Sequence, residues 1–272
     1  MNKTLLITSI APPLNDLNII DTDKYTWLSL CINSWEKSGH DIVSVNSAQE
    51  ISNLSKLFTN VKFAEAFRTT YSINKRNLVY ISDALHYART SNYKRIAICN
   101  GDVLITGNLK SLEYDLNSNN FYFSHRINID NIESTEGNIF TGIDYFNASK
   151  SIIDSMPDTY FTFGLPWWDY WYPYFVKSNG GKIIQLVNSV SNPVLLHKIH
   201  NDAWNPKDLC LMGKHFFDLV GTDGLINIRS NGLEYMYDDP SFKLNNQIVL
   251  FYSEMARNVC KFLADNASSL KI

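Results

Sequence analysis

The residues Asn100-Gly101-Asp102 follow directly after an apolar run, IAIC, that has the composition of a buried strand. A carboxylate at the end of such a strand is costly to desolvate unless a metal ion, a cation or helix N–H groups pair with it. Gly101 lets the backbone turn tightly beside a ligand, and Asn100 and Asp102 supply oxygen atoms. These residues suit a divalent ion that holds a diphosphate. The alternative is an ordinary turn in which Asp102 caps the segment that follows.

A second candidate carboxylate, Asp169, stands in the aromatic segment FGLPWWDYW. Partial burial among rings would raise its pKa and make it a better general base. The alternative is that Asp169 only caps or charges the first turn of an aromatic core helix. The rings themselves can pack in a core or stack on sugars. The candidates for sugar binding are Trp167, Trp168 and Trp171.

Three cationic side chains are candidates for phosphate contacts: Lys75, Arg76 and Arg126. An arginine guanidinium suits this role because its planar fork matches phosphate oxygens. The alternative for each is a solvated surface charge.

The elements that position these residues are predicted by alternating patterns. Apolar, β-branched runs predict strands at TLLITSI, DIVSVN, VKFAEAF and KRIAIC, and amphipathic runs between them predict helices. This rhythm predicts an α/β fold with a mainly parallel central sheet flanked by helices. Such sheets bind ligands beyond the carboxyl ends of their strands, where Asn100 to Asp102 would lie. The polar stretch 128–138 is predicted to be either a lid or a solvated insertion.

Composition narrows the classes of function. The 272 residues carry a net charge of −3, which argues against a nucleic-acid binder. No segment approaches the roughly 20 apolar residues that span a bilayer, and no signal peptide is evident, so we expect a cytoplasmic protein without a transmembrane segment. The aromatic fraction of 13% suggests that rings serve a cleft as well as the core.

Strand-Asn-Gly-Asp followed by apolar residues and Thr resembles the D-x-D region of nucleotide-sugar glycosyltransferases of the GT-A fold. GIDYF, FGLPWWDYW and LLHKIH follow in the order that these families show. The likeness is to bacterial transferases of capsule or surface glycans and extends over roughly residues 4 to 200. It departs from the pattern at Asn100, which replaces the first Asp and is a poorer ligand for a hard cation.

The resemblance implies Mn²⁺ or Mg²⁺ bound by Asp102, with Asn100 near the ribose or the water shell of the metal. A late histidine would complete the metal shell, and His197 and His200 compete for that place. We favour His197 slightly, and the alternative for each is a structural or solvated histidine.

Other roles also follow from the resemblance. In an inverting transfer Asp169 would take the proton of the acceptor hydroxyl, with Asp144 as second choice and more plausibly a partner of sugar hydroxyls. Ser9 and Ala11, at the end of the first strand, would hold the nucleotide through backbone atoms. If the anomeric configuration is retained, Asp169 need not be a base.

We therefore expect a glycosyltransferase of polysaccharide biosynthesis that uses a UDP-, GDP- or CMP-linked donor and a glycan or glycolipid acceptor. Residues 1–205 would form the catalytic domain, with a nucleotide-sugar half at 1–110 and an acceptor half at 111–205. A helical extension at 206–272 would pack on the same domain, where peripheral membrane contact is conceivable. The rival hypothesis is a non-catalytic glycan- or nucleotide-binding module.

Overall fold

The computed structural model describes residues 3–14, 19–110, 112, 119–134, 136–200, 204–221 and 246–272. The first half alternates strands and helices: β1 (Thr4–Thr8), α1 (Thr22–Lys37), β2 (Asp41–Asn46), α2 (Ala48–Leu57), β3 (Lys62–Glu65), α3 (Tyr71–Asn74), α4 (Ile81–Thr90), β4 (Arg95–Cys99) and β5 (Val103–Ile105). The second half contains β6 (Asn120–Ile129), β7 (Asn138–Ser149), α5 (Lys150–Ser155), α6 (Trp168–Ser178), β8 (Lys182–Leu186), β9 (Leu195–Lys198), α7 (Pro206–Gly221), α8 (Asn246–Asn266) and β10 (Ser268–Leu270).

Side chains at the helix starts explain where α1 and α2 begin. The Asp21 carboxylate accepts a hydrogen bond from the Lys24 backbone N–H at 3.1 Å, which satisfies one of the free amides of the first turn of α1. Ser47 and Glu50 form a capping box at the start of α2. Ser47 directly follows the last residue of β2, so α2 starts at the sheet edge that β2 reaches.

The strands form one mixed sheet in the order β10-β8-β6-β7-β4-β1-β2-β3, with β9 pairing with β5 and β6 beside it. Along the main path of the described strands, β7 alone runs opposite to its neighbours. The carboxyl ends of the parallel strands, including those of β1, β4 and β6, consequently meet at one edge.

Successive residues of a strand point to opposite sides of the sheet, and helices cover both sides. Both faces of the sheet are therefore buried. In β1, Leu5 and Ile7 join the core that packs under α4 to α8, whereas Leu6 joins the core under α1 and α2. The structure confirms the predicted α/β class with a mainly parallel sheet flanked by helices.

The strands β6 and β7 take in only the two ends of the stretch predicted as a lid or insertion. β6 continues to Ile129 and β7 begins at Asn138, so the connection is shorter than the sequence suggested; Thr135 within it lies outside the described residues. The pairing shifts register at His125, which faces Ile143, while Arg126 faces Phe140. Thr141 and Gly142 are therefore extra residues on β7, as in a β-bulge.

The C-terminal elements complete the same sheet and its helical layer. β10 pairs in parallel with β8, and α7 and α8 contribute Leu211 and Leu263 to the core that also contains α6. The division of the chain at residue 205 stays a prediction. Within the described part of the chain, the helices are all too short or too polar to cross a bilayer.

Candidate metal site

The turn after β4 lies against the end of β1. A Cβ added to Gly101 would stand 2.7 Å from the Ser9 carbonyl oxygen and 3.1 Å from the Ile10 Cα. Any side chain at this position would therefore push the two strand ends apart. Ser9 and Ala11 thus lie at the same edge as Asn100 and Asp102, as the sequence predicts for a shared site.

Sheet pairing brings two histidines to Asp102. His197 on β9 is the register partner of Val103 on β5 and of Asn128 on β6. The Asp102 Oδ2 lies 3.0 Å from the His200 Nε2 and 3.5 Å from the His197 Nε2, and the two Nε2 atoms are 3.2 Å apart. Both histidines that the sequence offers as metal ligands therefore lie beside the same carboxylate oxygen of Asp102.

The orientation of His197 suits a metal ligand that binds through Nε2. Its Nδ1 lies 3.2 Å from the Asn128 Oδ1, and that oxygen also accepts a hydrogen bond from Arg126 Nε at 2.9 Å. A proton on Nδ1 can donate to this oxygen, and the neutral ring then presents the lone pair of Nε2 to a metal ion. A cation between Nε2 and the Asp102 carboxylate would take over the stabilisation that a protonated ring gives to that carboxylate without it.

The spacing of the three ligand atoms fits a metal ion. In an octahedral shell with bonds of about 2.1 Å, adjacent ligands lie about 3.0 Å apart. The Asp102, His197 and His200 side chains are 32%, 5% and 50% exposed, so the cluster is open on the His200 side. Asp102, His197 and His200 would hold the ion, and the open side leaves positions for a substrate.

Charge at Asp102 is stabilised despite its surroundings. Burial alone would raise the pKa of the Asp102 carboxyl, but hydrogen bonds and positive charge from His197 and His200 together hold it well below its usual range. The Asp102 backbone oxygen also accepts a hydrogen bond from the Trp27 indole at 2.9 Å. The residue is thus fixed at its backbone while its carboxylate stays ionised.

A polar network joins the metal cluster to the second half of the sheet. Asp144 accepts hydrogen bonds from the Asn100 side-chain amide and, at 2.8 Å, from Arg126 Nη1. Arg126 in turn contacts Asn128, the partner of His197. Both carboxylate oxygens of Asp144 are therefore engaged by protein, which suits a positioning residue better than a base.

Asp169 lies at the start of α6, as the sequence predicts, and is 9% exposed. Its Oδ2 accepts the Ile143 N–H at 3.0 Å, and its Oδ1 is buried with no hydrogen-bond partner among the described residues. Burial, and next to it the negative charge of Asp144, raise the pKa of Asp169 to about 7. A carboxylate with this pKa is matched to base catalysis near neutral pH.

Several sequence-predicted residues have other places in the structure. Trp167, Trp168 and Trp171 are at most 2% exposed and pack in the core, so their faces are covered by protein and the acceptor-binding role expected of them is not supported. The Arg76 guanidinium pairs with the buried Asp208 at 2.9 Å, which ties its loop to α7 instead of leaving it for phosphate. Lys75 is the C-cap residue of α3, and its backbone N–H donates to the Tyr71 carbonyl. Its ammonium lies 5.5 Å from the Tyr71 ring centroid.

Sequence reasoning missed three residues that the fold places at this site. Asn128 is identified only by the β6–β9 pairing, and Trp27 only by its bond to the Asp102 backbone. Lys24 is half-buried in the first turn of α1, and its ammonium donates to the Pro12 carbonyl at 2.9 Å. Burial lowers the pKa of Lys24, while the charges of Asp21 and Asp102 act in the opposite direction.

No family model and no curated protein matches this sequence. Among solved structures, the inositol-1-phosphate CTP transferase from T. maritima is 11% identical with a TM-score of 0.43, and the match covers 89% of this chain and 98% of that one. The 4-diphosphocytidyl-2C-methyl-D-erythritol synthase from Anaerococcus prevotii is 10% identical with a TM-score of 0.41, over 71% of this chain and 93% of that one. HddC from Yersinia pseudotuberculosis is 14% identical with a TM-score of 0.37, over 61% and 85%. Overlap at this level assigns neither a reaction nor a substrate to this chain.

Proposed function

We propose that this protein is a metal-assisted glycosyltransferase that moves a sugar from a nucleotide-sugar donor to a hydroxyl of a glycan or glycolipid acceptor. The observation that carries the proposal is the cluster of Asp102, His197 and His200 at the carboxyl edge of a mainly parallel sheet. Ligands bind at this edge in such sheets, and a metal there can meet a diphosphate.

The metal is Mn²⁺ or Mg²⁺, and the donor atoms favour Mn²⁺. Two of the three candidate ligands are imidazoles, whereas Mg²⁺ prefers shells made entirely of oxygen. When bound, such an ion offsets the negative charge that develops on a departing diphosphate. Lys24, within charge range of Asp102, would add a second positive group on the same side.

The nucleotide would lie along the ends of β1 and β2. Ser9 and Ile10, which precede Ala11, have their backbone beside the Asn100–Asp102 turn, and the Asn46 side-chain amide fixes this segment by donating to the Ile10 carbonyl at 2.9 Å. Backbone atoms held in this way suit the base and ribose of a nucleotide. UDP and GDP carry the diphosphate that the metal would meet, whereas CMP carries one phosphate and is the third candidate to be tested.

Asp169 is the candidate general base of an inverting transfer. The acceptor hydroxyl would give its proton to Asp169 while its oxygen bonds to the anomeric carbon, and the bond from that carbon to the diphosphate would break on the opposite face. The buried Asp169 Oδ1 needs a hydrogen-bond donor, and an acceptor hydroxyl would supply one. Because Oδ1 is enclosed in this conformation, a local movement must admit the acceptor. Asp144 and Arg126 would hold the two halves of the site together.

A thermal-shift screen with UDP, GDP and CMP, each with and without Mn²⁺, tests the proposal directly. The transferase predicts stabilisation by one nucleotide that requires Mn²⁺, and release of that nucleotide from its sugar conjugate. Asp102→Asn should lose both effects, whereas Asp154→Asn, an exposed carboxylate on α5, should keep them.

Two results would replace this function with another. Stabilisation by free oligosaccharides with no effect of nucleotides would favour the non-catalytic glycan-binding module. Release of pyrophosphate from a nucleoside triphosphate and a sugar phosphate, with no turnover of nucleotide sugars, would make the protein a nucleotidyltransferase.

A further inference from the structure

One large ring beside the proposed site is open to solvent. Phe140 on β7 is 40% exposed, whereas Trp167, Trp168 and Trp171 are buried. Its ring lies 4.4 Å from the Arg126 guanidinium, which covers one of its faces. Phe140 therefore presents an aromatic surface in direct contact with the network that holds Asp144 and His197.

The β-bulge explains why Phe140 stands there. The register shift sets Phe140 directly opposite Arg126 and places Thr141 and Gly142 outside the regular pairing. Bulges turn side chains toward sites at the end of a sheet. A Cβ on Gly142 would lie 2.5 Å from the Phe140 ring, so the ring can fold over the strand only because residue 142 is glycine.

The same glycine brings the ring to the candidate base. A Cβ on Gly142 would also stand 3.5 Å from the Asp169 Oδ2, so the ring edge and the carboxylate lie close to the same point beside Gly142. Phe140 thus lies near the Asp169 carboxylate and against the Arg126 guanidinium, which in turn binds Asp144.

An aromatic ring with polar groups at its border has the chemistry of a pyranose site. The C–H face of a sugar ring packs on an aromatic face, while its hydroxyls hydrogen-bond to charged groups around it. We propose that Phe140 is the platform on which the pyranose ring of the acceptor lies. The acceptor is assigned here because Asp169 must take the acceptor's proton, whereas the donor's diphosphate belongs at Asp102. This inference rests on the proposed function and names a residue for acceptor recognition.

Saturation-transfer NMR tests the platform without requiring turnover. The probes are methyl glycosides of glucose, galactose and mannose, added to the protein with UDP and Mg²⁺, because paramagnetic Mn²⁺ would broaden the probe signals. At least one probe should receive saturation from the unaltered protein, with the strongest signals on the protons of one sugar face. Phe140→Ala should weaken that binding about tenfold, which corresponds to about 1.4 kcal/mol, and Phe140→Tyr should retain it.

Two further variants show whether the effect is specific to the position of the Phe140 ring. Phe217→Ala removes a ring of α7 that is 55% exposed, more than Phe140, and this variant should bind the probe as the unaltered protein does. Gly142→Ala keeps Phe140 but displaces its ring and should weaken the same signals.

Two outcomes would overturn the inference: no saturation of any probe by the unaltered protein, or equal saturation in Phe140→Ala. Loss of the Mn²⁺-dependent nucleotide effect, in contrast, would reject the proposed function whatever the NMR result.

Discussion

Replacement of Asp169 by Asn should change how stability depends on pH. The pKa of Asp169 is raised from 3.8 to about 7, chiefly by burial, so between these values the folded protein holds a proton that the unfolded chain releases. Asp169 therefore contributes most to the free energy of unfolding below pH 4, and this contribution is lost as pH rises to 7. Three pKa units correspond to about 4 kcal/mol. Asp169→Asn cannot titrate and should escape this loss.

Urea unfolding at pH 4 and at pH 8 measures the effect. The unfolding free energy of Asp169→Asn, relative to that of the unaltered protein, should increase by up to about 4 kcal/mol between the two pH values. The variant should meanwhile lose a factor of about 10² to 10⁴ in transfer rate, because it has no base. If the difference in unfolding free energy between the variant and the unaltered protein changes by less than about 1 kcal/mol from pH 4 to pH 8, a buried carboxylate with a raised pKa is refuted. Full transfer activity would refute its role as a base.

Three further substitutions test the surroundings of the site. Asn128→Ala should weaken Mn²⁺ binding about 10- to 100-fold in calorimetric titrations, because His197 loses the partner of its Nδ1; unchanged affinity would contradict that role. Gly101→Ala should destabilise the fold by about 1–3 kcal/mol in urea, because its Cβ would meet the Ser9 carbonyl, and a neutral result would mean that the strand ends can separate. Arg76→Met should cost about 3 kcal/mol of stability yet keep the Mn²⁺-dependent nucleotide shift; loss of that shift would restore Arg76 as a phosphate ligand.

The elements of the first half could be predicted because each has a complete local signal. DIVSVN is a strand over the same residues in the structure, and the spacing of Trp27, Cys31 and Trp35 corresponds to the buried face of α1. The position of Asp102 at the sheet edge follows from the same alternation. In contrast, Ser268–Leu270 is short and polar, and it is a strand only because β8 offers it an edge.

The contacts within the site depend on which strands are neighbours in the sheet, and local sequence does not predict this. Asn128 and His197 lie 69 residues apart along the chain and meet only because β6 and β9 are neighbours. An aromatic cluster such as Trp167 and Trp168 has the same composition whether it packs in a core or lines a cleft. The exposed ring beside the proposed site is instead that of Phe140. Its position depends on a β-bulge, for which Gly142 is the one indication in the local sequence.

The central claim is that Asp102, His197 and His200 hold a divalent cation that meets a nucleoside diphosphate. An anomalous-difference map from crystals grown with Mn²⁺ and UDP measures this most directly. We expect a manganese peak bonded to the Asp102 Oδ2 and to both histidine Nε2 atoms, with diphosphate oxygens in the remaining positions. A map in which these three side chains contact one another with no metal between them, or in which manganese and nucleotide bind elsewhere, would contradict it.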